Sequence, residues 1–141
     1  LKLWRQHTWI ILLAGLAFVA CDTATAPSDL SDDQGTWQLQ TFELNDGNVV
    51  SVPNPQNFKI VFDPDGSIGV TADCNLCGGI YEANGNSISI EVQVCTQAYC
   101  GDQSLDRDYL EALGSTSRYS RRGQELLLDY DNGTMRFQLS P

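Results

Sequence analysis

A small, mainly β (α+β) fold is what this sequence predicts. It is an antiparallel sheet curled into a barrel-like form, with one helix packed on it or plugging an end. Three observations carry the prediction. Apolar and polar residues alternate in short runs, the signature of half-buried strands. Asn or Asp stands before Gly between those runs, which is hairpin chemistry. Only one segment has helical spacing.

The elements follow in order. Trp37 and Leu39 alternate with Gln38 and Gln40. Phe58, Ile60 and Phe62 alternate with Lys59, Val61 and Asp63. Ile88, Ile90, Val92 and Val94 alternate with Ser87, Ser89, Glu91 and Gln93, the cleanest strand in the chain. Leu126 and Leu128, then Met135, Phe137 and Leu139, repeat the pattern near the end. One face of each run is apolar and the other polar, as an antiparallel sheet with one wet side allows. Turns are marked at 45–48, 63–66, 83–86 and 131–133, where Gly and Asn accept a positive φ at little cost. Strands at this spacing joined by hairpins suggest a barrel or sandwich.

The exception is Ser104–Gly114. Ser104 is placed to cap a helix, and Asp106 and Asp108 suit its positive N-terminal end. Leu105, Tyr109, Leu110 and Leu113 form the expected buried stripe, and Gly114 the expected stop.

The ends set the compartment. Lys2 and Arg5 precede an apolar run, Trp9–Ala20, that stops at Cys21. This is the layout of a secretory signal peptide over 1–20. The run is too short for a span, which needs about 20 residues. Ala20 before Cys21 resembles a bacterial lipobox, so Cys21 is the expected lipidation site. Residues 21–34, rich in Thr, Ser, Asp and Pro, read as a lipidated Cys and tether. Residues 35–141 are then one small domain with one core. The expected location is the cell envelope, lipid-anchored, or the medium if the lipobox is not used.

Loss of residues 1–20 removes Lys2, Arg5 and His7, the single histidine. That leaves 6 basic residues against 18 acidic ones, a formal charge of −12. Such a chain is a poor partner for nucleic acid or anionic headgroups. Arg118, Arg121 and Arg122 cluster, and read as a solvated strand end or loop. A mature chain without histidine has no Ser-His-Asp or Cys-His catalysis and no His-containing metal site. Two carboxylates alone hydrolyse glycosides, but no pair stands out here. The stretches Asp63–Ser67 and Asp129–Gly133 look faintly like calcium loops, yet lack the full ligand set and read as turns.

Four cysteines remain in the domain: Cys74, Cys77, Cys95 and Cys100. Their spacing approaches a zinc ribbon and contains a thioredoxin-like C-x-x-C. An exported chain with an even count favours two disulfides. Three connectivities exist. The turn at Asn84-Gly85 folds residues 77–81 back along 87–95, placing Cys77 nearly opposite residue 93. That favours a nested pair, Cys77–Cys95 within Cys74–Cys100, which would lock the central hairpin to the start of the helix. Zinc and redox readings stay open beside it.

Several motifs together resemble a known family. Cys74-Asn75, Gly79 and Tyr81 follow C-N-x₃-G-x-Y, and Thr96-x-x-x-Cys100 follows T-R-M-x-C. Trp37-x-Leu39, Phe62-Asp63-x-Asp65-Gly66, Asp106-x-x-Tyr109-Leu110-x-Ala112-Leu113 and Leu126-x-Leu128 come in the same order. The chain thus resembles META domains, the group that contains HslJ-like heat-shock lipoproteins, over almost all of 35–139. Gln97 and Ala98 stand where the family has Arg and Met, Asp106 where it has Glu, and Cys77 and Cys95 are additional. The resemblance implies a small β-barrel-like envelope or secreted protein, with links in some members to heat shock, antibiotic tolerance, motility or secretion. It implies no general enzymatic activity. Asn75, Gly79, Tyr81 and Thr96 are the motif positions. Asn75 suits a turn, Gly79 a bulge or close backbone approach, and Tyr81 packing with its hydroxyl at an edge.

The expectation is therefore a non-catalytic, monomeric envelope lipoprotein, a binding or stress-adaptation module without cofactor or metal. Its partners would be the membrane, through Cys21, and another envelope protein. The alternatives are a carboxylate-dependent cell-wall hydrolase, and a thiol-redox or zinc protein built on the four domain cysteines.

Overall fold

The computed structural model describes Leu30, Ser31 and residues 35–140. The expected signal peptide, Cys21 and most of the 21–34 tether lie outside the described residues. Among the described residues, nine strands and one α-helix follow in order, with a 3-10 turn at Pro55–Asn57 between the second and third strands. They are β1 (Thr36–Leu44), β2 (Val49–Ser51), β3 (Phe58–Phe62), β4 (Ser67–Ala72), β5 (Asn75–Asn84), β6 (Ser87–Cys95), α1 (Asp106–Gly114), β7 (Arg118–Arg122), β8 (Glu125–Tyr130) and β9 (Gly133–Ser140).

The strands pair antiparallel in the order β2-β1-β3-β4-β5-β6-β7-β8-β9, and β1 also pairs with β9, so the sheet closes into a barrel-like ring. Closure pairs the edges that β1 and β9 would otherwise expose, and among the described residues leaves only the short strand β2, paired to β1 alone, at an edge. The seam between β1 and β9 is long, running from Thr36↔Ser140 to Leu44↔Gly133. The seam between β6 and β7 is the shortest, a single register pair, Ser87↔Arg118. Helix α1 connects those two strands and packs against β6 and β4.

The ring interior is filled. Trp37, Leu39, Ile60, Leu126, Leu128, Met135 and Phe137 are essentially inaccessible to solvent. Their alternation with outward residues is the period of two that the sequence displays. A bulge between Leu39 and Thr41 shifts the parity of β1, so Phe42, not Thr41, is the next large inward residue. Leu30 belongs to the same core and is 3% exposed, although it falls in the stretch read as a tether. It is the one large apolar residue of that stretch, and its burial carries ordered contacts upstream of Gly35.

Three strands were not read from the sequence. β2 is three exposed residues held by backbone pairing to β1. β4 turns Ile68, Val70 and Ala72 inward, but Gly69 on its outer face weakens the pattern. β7 has one buried residue, Tyr119. The arginine cluster lies in this strand. Arg118 and Arg122 are exposed opposite Asp129 and Glu125, while Arg121 lies over the Trp37 ring, 5.2 Å from its centroid. That is cation–π distance.

The helix differs from expectation at both ends. It starts at Asp106 with Leu105 as cap residue, and no side chain caps it there. The Ser104 hydroxyl instead donates to Asp73 Oδ2 (2.7 Å) and accepts from the Asp106 N–H (3.2 Å). At the other end Gly114 stays helical and Ser115 is the cap; its N–H donates to the Glu111 carbonyl. The buried stripe is Tyr109, Ala112 and Leu113, with Leu105 and Leu110 half-buried against the core. The Tyr109 ring stands edge-on to Phe58 at 5.9 Å and lies 6.2 Å from Phe137, so the helix drives an aromatic plug into the ring.

Candidate functional site

The motif residues meet where β5 begins. Asp73 ends the β4–β5 turn with φ of 54°, a left-handed conformation that aspartate tolerates better than most side chains. Its carboxylate accepts from Asn57 Nδ2 (3.3 Å) and from the Ser104 hydroxyl. Asn75 follows, 5% exposed. Its Oδ1 accepts from the Ala98 N–H (2.8 Å) and the Thr96 hydroxyl (3.0 Å). Its Nδ2 donates to the Ala98 carbonyl (3.0 Å) and reaches Cys100 Sγ (3.3 Å) and Asp106 Oδ2 (3.4 Å). Thr96 in turn accepts from the Leu76 N–H (3.0 Å) and donates its own N–H to the Leu76 carbonyl (3.0 Å). One buried amide thus organises the whole connection from β6 to α1. This suits the chemistry of Asn, which offers two donors and an acceptor in one plane.

Both disulfides sit at this junction. Cys74 is bonded to Cys100 and Cys77 to Cys95, with Cα separations of 5.5 and 4.1 Å. This is the nested arrangement that the hairpin register favours, by a route the sequence does not display. The expectation sets residue 93 nearly opposite Cys77, and the register from Asn84↔Ser87 to Gly79↔Val92, continued unbroken, would set Val94 there. The ladder instead skips Gln93 between Gly79↔Val92 and Gly78↔Val94, and that bulge brings Cys95 opposite Cys77. Gly79 stands at the irregularity. A β-carbon there would meet backbone, 2.0 Å from the Glu91 carbonyl oxygen. With all four domain sulfurs joined in pairs, these cysteines present no thiolate to zinc. Among the described residues no group of His, Cys, Asp or Glu is arranged to hold a metal ion. Disulfides such as these form and persist in oxidising compartments.

Tyr81 joins this region to the β3–β4 hairpin. Its ring stands edge-on to Phe62 at 4.9 Å, its hydroxyl donates to the Asp63 carbonyl (3.2 Å), and its N–H donates to the Gly66 carbonyl (2.9 Å). Within the turn, Asp65 Oδ1 accepts from the Ser67 hydroxyl (2.6 Å) and N–H (2.9 Å). These bonds hold the Asp65 carboxyl below its ordinary range, the hydroxyl contributing most. The Asp63–Ser67 stretch is a self-bonded turn, as is Asp129, whose Oδ1 accepts from the Thr134 hydroxyl (2.8 Å).

Two surfaces remain beyond these internally bonded residues. On the outer face of β4–β6, Leu76, Ile80 and Val94 are 64, 41 and 68% exposed. They border a floor made by the cross-strand pair Gly69↔Gly78, with Val94 paired to Gly78. This patch gathers three of the exposed large apolar side chains on one outward face; Val49 and Val50, on β2, are exposed elsewhere.

The second surface is a cleft of about 490 Å³ beside α1. Leu105, Asp108, Ala112 and Ser115 recur every three or four residues and line it from the helix side. Phe42 and Val50 face them from β1 and β2, Tyr130 from the end of β8 and Asp131 from the β8–β9 turn. Burial, and then the nearby Asp108 charge, raise the Tyr130 hydroxyl above its ordinary pKa. In sequence, Asp108 suits the helix dipole and Asp131 a turn. Nothing in their local spacing shows that they meet across a cleft.

The sequence pattern of the META domain matches residues 28–141. Solved structures share the fold. A protein from Burkholderia xenovorans, solved by NMR, superposes with a TM-score of 0.65 at 20% identity, covering 93% of this chain and 99% of its own. A DUF4847 family protein from Bacteroides vulgatus, solved by crystallography, gives 0.57 at 17% identity, covering 79% and 95%. A further NMR structure gives 0.58 at 21% identity, covering 80% and 93%. No curated protein matches the chain.

Proposed function

The chain belongs to the META domain family, and from that premise we propose that it is a non-catalytic envelope lipoprotein, anchored through Cys21, that binds another envelope protein in stress adaptation. Its role is of the heat-shock or antibiotic-tolerance type. The carrying observation is the apolar outer face of Leu76, Ile80 and Val94. A sheet face in water ordinarily carries polar residues, and a contiguous apolar patch marks a docking surface. The use of Asn75, Thr96 and Tyr81 in bonds to their own chain supports the non-catalytic part of the reading, since it leaves the motif with structural work.

The test is made in cells. A photo-cross-linking residue at Val94 is expected to trap one envelope protein of defined mass, and the same residue at Gln138 is not. Leu76→Asp is expected to abolish the adduct with thermal unfolding unchanged. Equal trapping at both sites, or at neither, overturns the docking reading. Palmitate labelling that persists in Cys21→Ala overturns the anchor.

A further inference from the structure

We propose that the cleft beside α1 binds an organic cation: a primary ammonium group carried on an aliphatic or aromatic body of about six carbons. The inference concerns a different surface from the protein-docking face and stands without it.

Shape and lining come first. The cleft, about 490 Å³, falls within the range of small-molecule sites and is too large for a single ion. Phe42, Val50 and Leu105 present apolar walls from three separate elements. Val50 is 38% exposed, so a ligand in the cleft would cover apolar surface that now meets water. That requires a hydrocarbon body on the occupant.

Charge fixes the other end. Asp108, Glu111 and Asp131 face the same space. Among the described residues, none of their carboxylates has a hydrogen-bond or ion-pair partner. Of the described arginines, Arg136 bonds Glu43 and Glu125, and Arg121 meets Trp37 and the Gly123 carbonyl. Arg107, next to Asp108 in the helix, is exposed, lines the neighbouring hollow and not the cleft, and forms no ion pair with Asp108 or Glu111. Uncompensated like charges around a concave, partly apolar site attract a counter-charge and disfavour an anionic ligand. The three carboxylates do not converge as metal ligands, and no metal-holding group is found among the described residues. Hard divalent cations also take cages of oxygen, not apolar walls. The Tyr130 hydroxyl, close enough to Asp108 to feel its charge, supplies an acceptor for an ammonium N–H. An ammonium on a short hydrocarbon body satisfies both halves of the site.

The experiment is an amide-resolved NMR titration of the purified protein at pH 7 with hexylammonium, hexanol, hexanoate and Mg²⁺ as separate probes. Hexylammonium is expected to give saturable shifts at Phe42, Val50, Leu105 and Tyr130, with hexanol at least tenfold weaker and hexanoate not saturating. Asp108→Asn with Glu111→Gln is expected to weaken hexylammonium by roughly tenfold and to leave hexanol unchanged. Asp131→Asn, across the cleft on a turn, repeats the test where the helix variant folds poorly. Equal binding of hexanol and hexylammonium, Mg²⁺ shifting the same amides at lower concentration, or no saturable shift with any probe would each overturn the proposal.

Discussion

Gly79 passes the backbone of Glu91 so closely that a β-carbon on it would lie 2.0 Å from the Glu91 carbonyl oxygen. The approach occurs where the β5–β6 ladder skips Gln93 and brings Cys95 opposite Cys77. Because the obstacle is backbone, no side-chain rotation relieves it. Gly79→Ala is therefore expected to destabilise the domain by about 3 kcal/mol. Chemical denaturation measures the loss. Gly69→Ala is the control, since a β-carbon there meets nothing within 4 Å.

Asn75→Ala removes both ends of the amide that holds residues 96–106. The Ala98 N–H loses its acceptor and the Thr96 hydroxyl loses a partner. A cost of about 2 kcal/mol is expected. Hydrogen exchange is expected to speed up at residues 96–105 while the β1–β9 seam stays protected. Uniform acceleration across the ring would show that Asn75 acts on the whole fold instead.

The two disulfides are expected to reduce in sequence. Cys74 is exposed whereas Cys77 is buried, and thiolate attack requires access to sulfur. Mild reductant followed by alkylation and peptide mapping is expected to label Cys74 and Cys100 first. The bonds are nested, so their contributions do not add as independent loops. With Cys77–Cys95 closed, the outer bond closes only residues 74–77 and 95–100. Cys74→Ser with Cys100→Ser is then expected to cost about 2–3 kcal/mol. Simultaneous release of all four thiols would refute the order.

Tyr109 is wholly buried and its hydroxyl has no hydrogen-bond partner among the described residues. Burial holds the phenol well above its ordinary pKa. Tyr109→Phe keeps the ring contacts with Phe58 and Phe137 and drops an unpaired polar atom. It is expected to raise stability by about 1 kcal/mol, or a few degrees in Tm. A fall in Tm would reveal a partner for the hydroxyl.

Tyr130 is held protonated above its ordinary range, chiefly by burial and then by Asp108. A phenol raised in the fold contributes stability that is complete below its unfolded pKa and is lost as pH rises through the folded value. Asp108→Asn is expected to bring the Tyr130 titration down without reaching the ordinary value, because burial remains. Absorbance titration of the phenolate, compared with Tyr130→Phe, checks it.

Alternation made five strands legible, and Asn-Gly turns placed their hairpins. β2 and β7 were not legible because their residues bury little; backbone pairing to neighbours holds them. β4 was hidden by Gly69, and the early order at Leu30 by its polar surroundings. The motif residues were legible as positions, and their bonding was not. Asn75 shows a turn former in sequence, while its partners Ala98, Thr96 and Asp106 lie 21 to 31 residues away.

What the sequence determined by itself is what depends on neighbours along the chain. The period of two sets the strands, positive-φ residues set the turns, and the even set of domain cysteines with the Asn84-Gly85 turn favours the nested disulfides. Tertiary structure alone decided closure of the ring through β1 and β9, the bulge that aligns Cys95 with Cys77, and the meeting of Asp108, Glu111 and Asp131 with Phe42 and Val50 across one cleft. The reason is range. Propensity and periodicity act over a few residues, whereas these contacts join segments that only the packing of the whole ring brings within reach.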